Sequence, residues 1–170
     1  MTLSDRESYT AGLNYSDRPP VLVKDIMTTA VKTAHPDSLI REVAMVMCFN
    51  KISGMPVVDD DGRIVGMISE KDILWGMFPD LQDFMGNPEV ADFEAFERDY
   101  KDVVNLKVQN LMTTRVYAVE PTMPVLKAAS MMFRHRLRRL PVADNGKLVG
   151  IVSVGDVHKA IFQHNITGRA

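Results

Sequence analysis

The stretch GMPVVDDDGRIVGMISEKD, residues Gly54–Asp72, decides the fold. It holds an apolar run with a proline, an acidic turn that ends in glycine, a second apolar run, and a serine followed three residues later by an aspartate. The same order of features returns in RLPVADNGKLVGIVSVGD, residues Arg139–Asp156. An internal repeat of this length predicts two copies of one structural unit that pack against each other.

The segments around each stretch repeat as well, because Ile26–Thr29 (IMTT) returns 85 residues later as Leu111–Thr114 (LMTT). Residues 30–34 and 115–119 are predicted to be extended. Apolar residues at helical spacing then predict one helix over about 38–50 and another that begins after Pro124. The stripes are Ile40, Val43, Ala44 and Met47 in the first copy, and Val125, Ala128, Ala129 and Met132 in the second.

The two apolar runs of each copy predict a β-hairpin, with turns at Asp60–Gly62 and Asn145–Gly146. Ser69 and Ser153 begin the closing helices, the second of which is predicted to end before Gly168. The fold class is therefore α+β, with two β-α-β-β-α repeats. Each three-stranded sheet is too small to bury its own helices well, so we expect a pseudo-two-fold pair stacked sheet against sheet.

The repeat divides the chain into segments: a flexible leader over 1–20, repeat 1 over 21–78, an inserted acidic linker over 79–107, repeat 2 over 108–163, and a tail over 164–170. Phe93, Phe96, Tyr100 and Val103 of the insertion share one helical stripe among many acidic residues. Two interpretations of this acidic helix stay open: a connecting helix with a solvated face, or a lid or partner-docking element.

Composition indicates an ordinary globular chain of 170 residues, with 46% hydrophobic and 25% charged residues and a net charge of −2. The single cysteine, Cys48, lies in an apolar helical pattern with a core-like neighbourhood, so the chain has no internal disulfide or thiolate cluster. No apolar run reaches the ~18 residues of a membrane span. We expect a cytoplasmic protein, with the soluble part of a membrane protein as the alternative.

These motifs together resemble a tandem pair of CBS domains, the Bateman module, over residues 21–163. The resemblance is carried by DIMT and LMT, by the PVVD segment, by the G-x-h-V-G-h-h-S run, and by S-x-x-D at the end of both copies. It implies two clefts that bind adenosine-containing ligands (AMP, ADP, ATP or S-adenosylmethionine). It also implies a disc-like homodimer that regulates an enzyme, channel or transporter.

Ser69 with Asp72, and Ser153 with Asp156, lie where a strand gives way to a helix. The unpaired N–H groups of a helix start favour a phosphate or hydroxyl-rich group, and the aspartate can accept two hydrogen bonds from a vicinal diol. By resemblance, the aspartate binds the ribose hydroxyls and the serine lies near ribose or phosphate. The alternative is that each pair is an ordinary helix-capping box.

Five basic side chains occur within residues 134–139 of a slightly acidic chain. By resemblance, Arg138 and Arg139 contact phosphate, for which arginine is well suited. The first copy has Ser53 and Gly54 at these positions, so the two clefts differ and an anionic nucleotide should prefer the cleft that the arginines reach. The alternative is a basic rim that pairs with the acidic segment over 75–107.

The remaining candidates come from their positions in the repeat. Ile52 and Leu137, four residues before Pro56 and Pro141, are the adenine-pocket candidates, with plain core packing as the alternative. His35 and Glu120 are assigned to the cleft mouths, where they are expected to be surface residues.

Catalysis is not expected, since the four histidines lack metal-ligand spacing and no phosphate-binding Gly-rich loop or nucleophile elbow is present. The predicted function is a homodimeric sensor module without a required cofactor or metal, in which an adenosyl ligand changes the packing of the repeats and thereby biases a partner. A dimerisation scaffold with empty clefts is the alternative. RNA binding through the arginine cluster is a third class, but nucleic acid is not an expected partner because the cluster lacks interleaved aromatic residues.

Overall fold

The computed structural model describes residues 19–77 and 103–167, with side chains up to residue 162. Residues 78–102, which include most of the predicted acidic insertion over 79–107, lie outside this part, as do residues 1–18 of the leader and residues 168–170 of the tail. The elements of the first copy are a 3-10 turn Val23–Asp25, α1 Ile40–Asn50, β1 Gly54–Val58, β2 Ile64–Ser69 and α2 Glu70–Gly76. Those of the second are a 3-10 turn Val108–Asn110, α3 Val125–His135, β3 Arg139–Asp144, β4 Lys147–Ser153 and α4 Val154–Thr167.

The first long helix of each copy forms as its apolar stripe predicts. Ile40, Val43 and Met47 of α1 are buried, and α3 buries the equivalent positions. Both helices end on a residue in the left-handed conformation, Lys51 (φ 53) and Arg136 (φ 55), which turns the chain toward the following strand. The prediction for Cys48 was wrong: it is exposed because it lies off the buried stripe, next to an exposed phenylalanine.

Each copy contains the predicted antiparallel hairpin. β1 pairs with β2 from Gly54↔Ser69 to Val58↔Ile64, and β3 pairs with β4 in the same way, with a bulge at the equivalent position of both hairpins. The second turn is formed by Asn145 (φ 50) and Gly146 (φ 82), the geometry that an Asn-Gly pair favours in two-residue hairpins.

The sheets are smaller than the three-stranded sheets that the sequence predicts. The first extended segment of each copy contributes one parallel bridge, Ala34↔Val57 and Val119↔Val142, and the hairpins are two-stranded sheets. In the first copy the Ala34 N–H donates to Pro56 O and the Val58 N–H donates to Ala34 O, both at 2.9 Å. A proline follows two residues later in both copies, and since proline has no N–H to donate, the ladder stops there.

The described residues form two hydrophobic cores, and each core contains residues of both copies. Val108 of the second 3-10 turn is fully buried in the core of the first copy, where Val103 also packs. Val23 of the first 3-10 turn is fully buried in the core of the second copy. The division into repeats at 21–78 and 108–163 therefore stays a prediction about chain segments, while the cores themselves are shared.

The crossing of the two copies follows the predicted pseudo-two-fold symmetry. Thr113 pairs with Met67 of β2, and its counterpart Thr28 pairs with Ile151 of β4. At the hairpin tips, the Ile64 N–H donates to Gly146 O and the Leu148 N–H donates to Gly62 O.

A glycine on each second hairpin strand makes this close approach possible. A Cβ atom on Gly66 would lie 2.7 Å from the Met112 sulfur, and a Cβ atom on Gly150 would lie 2.6 Å from the Met27 sulfur. The glycines that the repeat shares therefore mark the places where the methionine of one copy crosses a strand of the other.

Candidate functional site

The first predicted pair, Ser69 and Asp72, forms the start of α2. Ser69 is the N-cap, and its Oγ accepts from the Asp72 N–H at 3.4 Å. The Ser69 N–H and hydroxyl both donate to Asp72 Oδ2, at 2.8 and 2.5 Å. The capping-box interpretation is therefore correct as a description of the local structure.

Ser153 and Asp156 repeat this arrangement at the start of α4. The Ser153 N–H and hydroxyl donate to Asp156 Oδ2 at 2.9 and 2.6 Å, and Ser153 Oγ accepts from the Asp156 N–H at 3.3 Å. Two segments with different residues between serine and aspartate thus reach one geometry, because the same strand-to-helix junction precedes both.

Capping leaves part of each carboxylate available. In the described chain, every hydrogen bond that Asp72 and Asp156 accept goes to Oδ2. Oδ1 of each carboxylate keeps its lone pairs, and both aspartates are only half-buried. A fixed carboxylate with one free oxygen can accept hydrogen bonds from hydroxyl groups, so capping and ligand binding are compatible roles for the same residue.

Asp72 borders an open hollow of about 470 Å³. The hollow lies between α2 and the second 3-10 turn, and its lining residues are Lys71, Asp72, Trp75, Gly76, Asn110 and Leu111. Its volume falls in the range of small-molecule sites. Sequence reasoning identified Asp72 and missed the others, since only the crossing of the copies brings residues 110–111 beside α2.

The indole of Trp75 is the most distinctive group of this hollow. Trp75 is 56% exposed, and the Lys71 ammonium lies 5.3 Å from the centre of its ring. An exposed aromatic face next to a cation and a carboxylate offers both stacking and polar contacts to a ligand. The corresponding residues of the second copy, Gly155 and Lys159, lack the aromatic group, which supports the prediction that the two clefts differ.

Arg139 lies between the two copies. Its Nη1 donates to Gly54 O at 2.7 Å, and its Nη2 donates to Ser53 Oγ at 2.6 Å. The pKa of the Arg139 guanidinium lies below its usual value, mainly because the group is partly buried. The nearby Glu70 carboxylate partly offsets this shift by raising the pKa, and Arg138 lowers the pKa further. The sequence singled out Ser53 and Gly54 as the residues that replace the arginine pair in the first copy, but it did not reveal that Arg139 binds them.

The other arginines of the cluster face solvent. Arg134, Arg136 and Arg138 are exposed, and the backbone oxygen of Arg138 accepts from the first N–H of α4 at 3.0 Å. His135 stacks on Tyr117 with ring centres 4.0 Å apart, and the Arg115 guanidinium lies 5.5 Å from the Tyr117 ring. No ion pair within residues 19–77 and 103–162 involves these arginines. The acidic residues of segment 75–107, with which the basic-rim alternative pairs them, lie outside the described residues.

The two adenine-pocket candidates occupy equivalent positions. Ile52 follows the left-handed Lys51 and packs against the first core, and Leu137 follows Arg136 and packs against the second. Both side chains are only partly buried. They combine a structural role with an accessible surface, and their place in an adenine pocket stays a prediction.

His35 and Glu120 both lie at the surface. The His35 Nε2 atom is 3.3 Å from Asp60 Oδ1 at the hairpin turn, and its Nδ1 accepts from the Asp37 N–H at 3.3 Å. Glu120 is exposed, and neither residue lines the hollow beside Asp72. Their assignment to the cleft mouths stays a prediction.

An ion pair joins the His35 region to the last residue of the insertion, directly before the second copy. Lys107 Nζ donates to Asp37 Oδ1 at 2.6 Å, and this hydrogen bond and charge hold the pKa of the Asp37 carboxyl below its usual value. The ion pair lies at the surface, so it is sensitive to salt.

Metal binding and membrane insertion are two other roles that residues 19–77 and 103–167 could have. No cluster of three or more His, Cys, Asp or Glu side chains there could hold a metal ion. No helix in the same ranges has the length and apolarity to cross a bilayer.

Comparison with known proteins identifies the relatives of this chain. The family model described as CBS domain matches residues 23–77 and 108–163. The uncharacterized protein MJ1426 of Methanocaldococcus jannaschii is 35% identical over 155 residues, which cover 84% of this chain and 92% of that protein.

Two solved structures extend the comparison. CBSX2 of Arabidopsis thaliana in complex with AMP has a TM-score of 0.66 and 28% identity, covering 85% of this chain and 98% of that chain. The CBS domain pair of protein MJ0100 in complex with 5′-methylthioadenosine and S-adenosyl-L-methionine has a TM-score of 0.63 and 25% identity, covering 85% and 98%. The duplicated motifs, the fold and the relatives agree: the chain belongs to the CBS domain family and carries two CBS domains in tandem.

Proposed function

We propose that this protein is a regulatory module that binds an adenosine-containing ligand (AMP, ADP, ATP or S-adenosylmethionine) between its two CBS domains. The ligand changes how the two domains pack and so biases a partner protein between states. The partner is an enzyme, channel or transporter, and the module has no catalytic activity of its own. The intracellular location expected from composition fits a ligand of this class.

One observation carries the proposal: Asp72 presents a free carboxylate oxygen beside a hollow large enough for a nucleoside. The Ser69 hydrogen bonds fix the carboxylate, so little side-chain entropy is lost when hydroxyl groups bind. The hollow supplies an indole for stacking and a lysine for an anionic group. Relatives with this fold have been solved with AMP and with two other adenosyl compounds, which supports the ligand class.

Homodimer formation is part of the proposal. The first long helix of each copy carries a strongly exposed aromatic side chain, Phe49 (82%) on α1 and Phe133 (75%) on α3. In the proposed homodimer a second copy covers these side chains, since aromatic residues are enriched in protein–protein interfaces. The same observation favours the second candidate function, a dimerisation scaffold with empty clefts, so ligand binding must be tested separately from dimer formation.

Isothermal titration calorimetry with AMP and with 2′,3′-dideoxy-AMP tests the diol contact. Hydrogen bonds to a charged group contribute about 1.5–3 kcal/mol, so the dideoxy ligand should bind roughly 10- to 100-fold more weakly. Asp72→Ala should weaken AMP by a similar factor and remove the preference for the diol. Asp156→Ala, the matched change in the other cleft, shows which carboxylate is used.

The outcomes separate the two candidate functions. Equal affinity of the wild-type protein for the two ligands would contradict a role for the aspartates in binding the diol. If millimolar AMP, ADP, ATP and S-adenosylmethionine all leave the melting temperature unchanged, the scaffold is favoured, because a ligand at 100 times its Kd stabilises a protein by about 2.7 kcal/mol.

A further inference from the structure

Arg139 is a half-buried cation that the other CBS domain holds with neutral groups. Its two observed acceptors are the Gly54 carbonyl and the Ser53 hydroxyl. Among the described residues no carboxylate lies within ion-pair distance of Arg139, although Glu70 is near enough to influence its pKa. A partly desolvated guanidinium that has no paired anion binds an anionic ligand favourably.

Two hydrogen bonds fix the guanidinium and leave it capacity to bind. A guanidinium has five N–H donors in a planar fork, and the first domain uses one on each terminal nitrogen. The other three N–H groups are held in a plane whose orientation Ser53 and Gly54 set. Preorganisation of this kind increases affinity because the entropy of the long side chain is already lost before the ligand arrives.

The sequence difference between the two domains is what makes this arrangement possible. Gly54 and Arg139 are equivalent residues, 85 positions apart, and so are Ser53 and Arg138. A Cβ atom on Gly54 would lie 3.1 Å from Arg139 Nη1 and 3.0 Å from the backbone oxygen of Ile68. The absence of a side chain at 54 therefore gives the arginine of the second domain its place beside the first.

We propose that Ser53 and Gly54 of the first CBS domain position the Arg139 guanidinium for the phosphate of an adenine nucleotide. Recognition of the phosphate then depends on the contact between Ser53 and Arg139, whereas recognition of the nucleoside does not. Ser53 is a positioning residue that acts through Arg139. This inference rests on the proposed function, since it requires that an adenine nucleotide binds. It adds which residues position the guanidinium that binds the phosphate.

Calorimetric titration of AMP and of adenosine into the full-length protein tests the proposal, because the two ligands differ only in the phosphate. Four proteins are compared: wild type, Ser53→Ala, Arg139→Ala and the double variant. Ser130→Ala, on the exposed surface of α3, is the control for a serine change elsewhere. If Arg139→Ala does not fold, Arg139→Lys replaces it, since lysine keeps the charge but not the fork.

We expect Ser53→Ala to weaken AMP by roughly three- to tenfold, less than the loss of a full hydrogen bond to a charged group, because the Gly54 carbonyl still holds the guanidinium. Adenosine affinity should be unchanged. Arg139→Ala should weaken AMP more strongly, again without an effect on adenosine. The double variant should bind AMP as Arg139→Ala does, because Ser53 acts only through the arginine.

Three results would overturn the proposal. An equal loss of AMP and adenosine affinity in Ser53→Ala would show a purely structural role, and unchanged AMP affinity would show that the contact does not matter. A full additive loss in the double variant would show that Ser53 acts independently of Arg139. Failure of the wild-type protein to bind AMP, adenosine, ADP, ATP and S-adenosylmethionine would instead refute the proposed function, and this inference with it.

Discussion

The crossing of the two CBS domains can be tested at Gly150, where β4 meets the opening segment of the first copy. In Gly150→Ala the new Cβ atom would lie 2.6 Å from the Met27 sulfur and 3.2 Å from the Thr28 backbone oxygen. Rotation of the methionine relieves the first contact. The second involves backbone that is tied to β4 by the Thr28↔Ile151 pair, with hydrogen bonds of 2.9 Å in both directions.

We therefore expect Gly150→Ala to destabilise the protein by about 1–2 kcal/mol, within the usual range for overpacking. For a chain of this size, that lowers the melting temperature by roughly 2–8 °C. Calorimetric melting of the ligand-free protein measures the effect. Gly155→Ala is the matched control: its Cβ would meet only Ser153 Oγ, at 3.6 Å, so the same change in α4 should stabilise by about 0.5–1 kcal/mol.

A second change locates the cause of the destabilisation. Met27→Ala removes the side chain that the new Cβ would strike, so the double variant Gly150→Ala/Met27→Ala should lose less stability than the sum of its parts, by at least about 0.5 kcal/mol. Two results would refute the reasoning: Gly150→Ala as stable as Gly155→Ala, or strict additivity in the double variant. Either would mean that Met27 does not cross β4 as the structure shows.

Three further predictions concern stability and charge. Lys51→Gly should raise the free energy of unfolding by roughly 0.5–1 kcal/mol in urea titrations, since φ 53 favours glycine; a loss would contradict the left-handed helix end. Asp37→Asn should lower the melting temperature at pH 7 and low salt. Because Lys107 depresses the pKa of Asp37, that gap should close as the pH falls through the lowered pKa, and also in 1 M salt; a constant gap would show that the ion pair does not contribute. Glu70→Gln should strengthen AMP binding roughly two- to threefold at low salt, since it removes a negative charge near Arg139, and should not affect adenosine; an equal effect on both ligands would exclude an electrostatic cause.

The sequence predicted the local elements well because each has a local cause. The stripe of α1, the Asn145–Gly146 turn and the caps at Ser69 and Ser153 depend on residues within one or two turns of each other. The third strand of each sheet was predicted too long. An apolar extended segment indicates a preference for a strand, but not how many of its residues will pair with a neighbouring strand.

The candidate site was predictable in part for the same reason. Asp72 and Asp156 are set by their own helix starts, so their geometry follows from the S-x-x-D motif. Asn110 and Leu111 are brought to Asp72 by the packing of one copy on the other, which no local pattern encodes. The hydrogen bond between Arg139 and Ser53 could not be predicted for the same reason, since it also depends on the packing of the copies. Alignment of the two repeats showed only that the copies have different residues at these positions.

That difference has a physical reason in the pseudo-two-fold symmetry. Gly54 and Arg139 are equivalent, yet the structure places the guanidinium of one against the carbonyl of the other, so the two positions meet where the copies face each other. Arginine at both would bring two half-buried cations together, which is unfavourable in a partly desolvated space. Glycine at both would remove the cation that we propose for phosphate binding. A duplicated chain avoids two adjacent cations and still keeps one cation only if the two copies have different residues at this position. The symmetry of the fold therefore favours a single arginine at the contact between the domains.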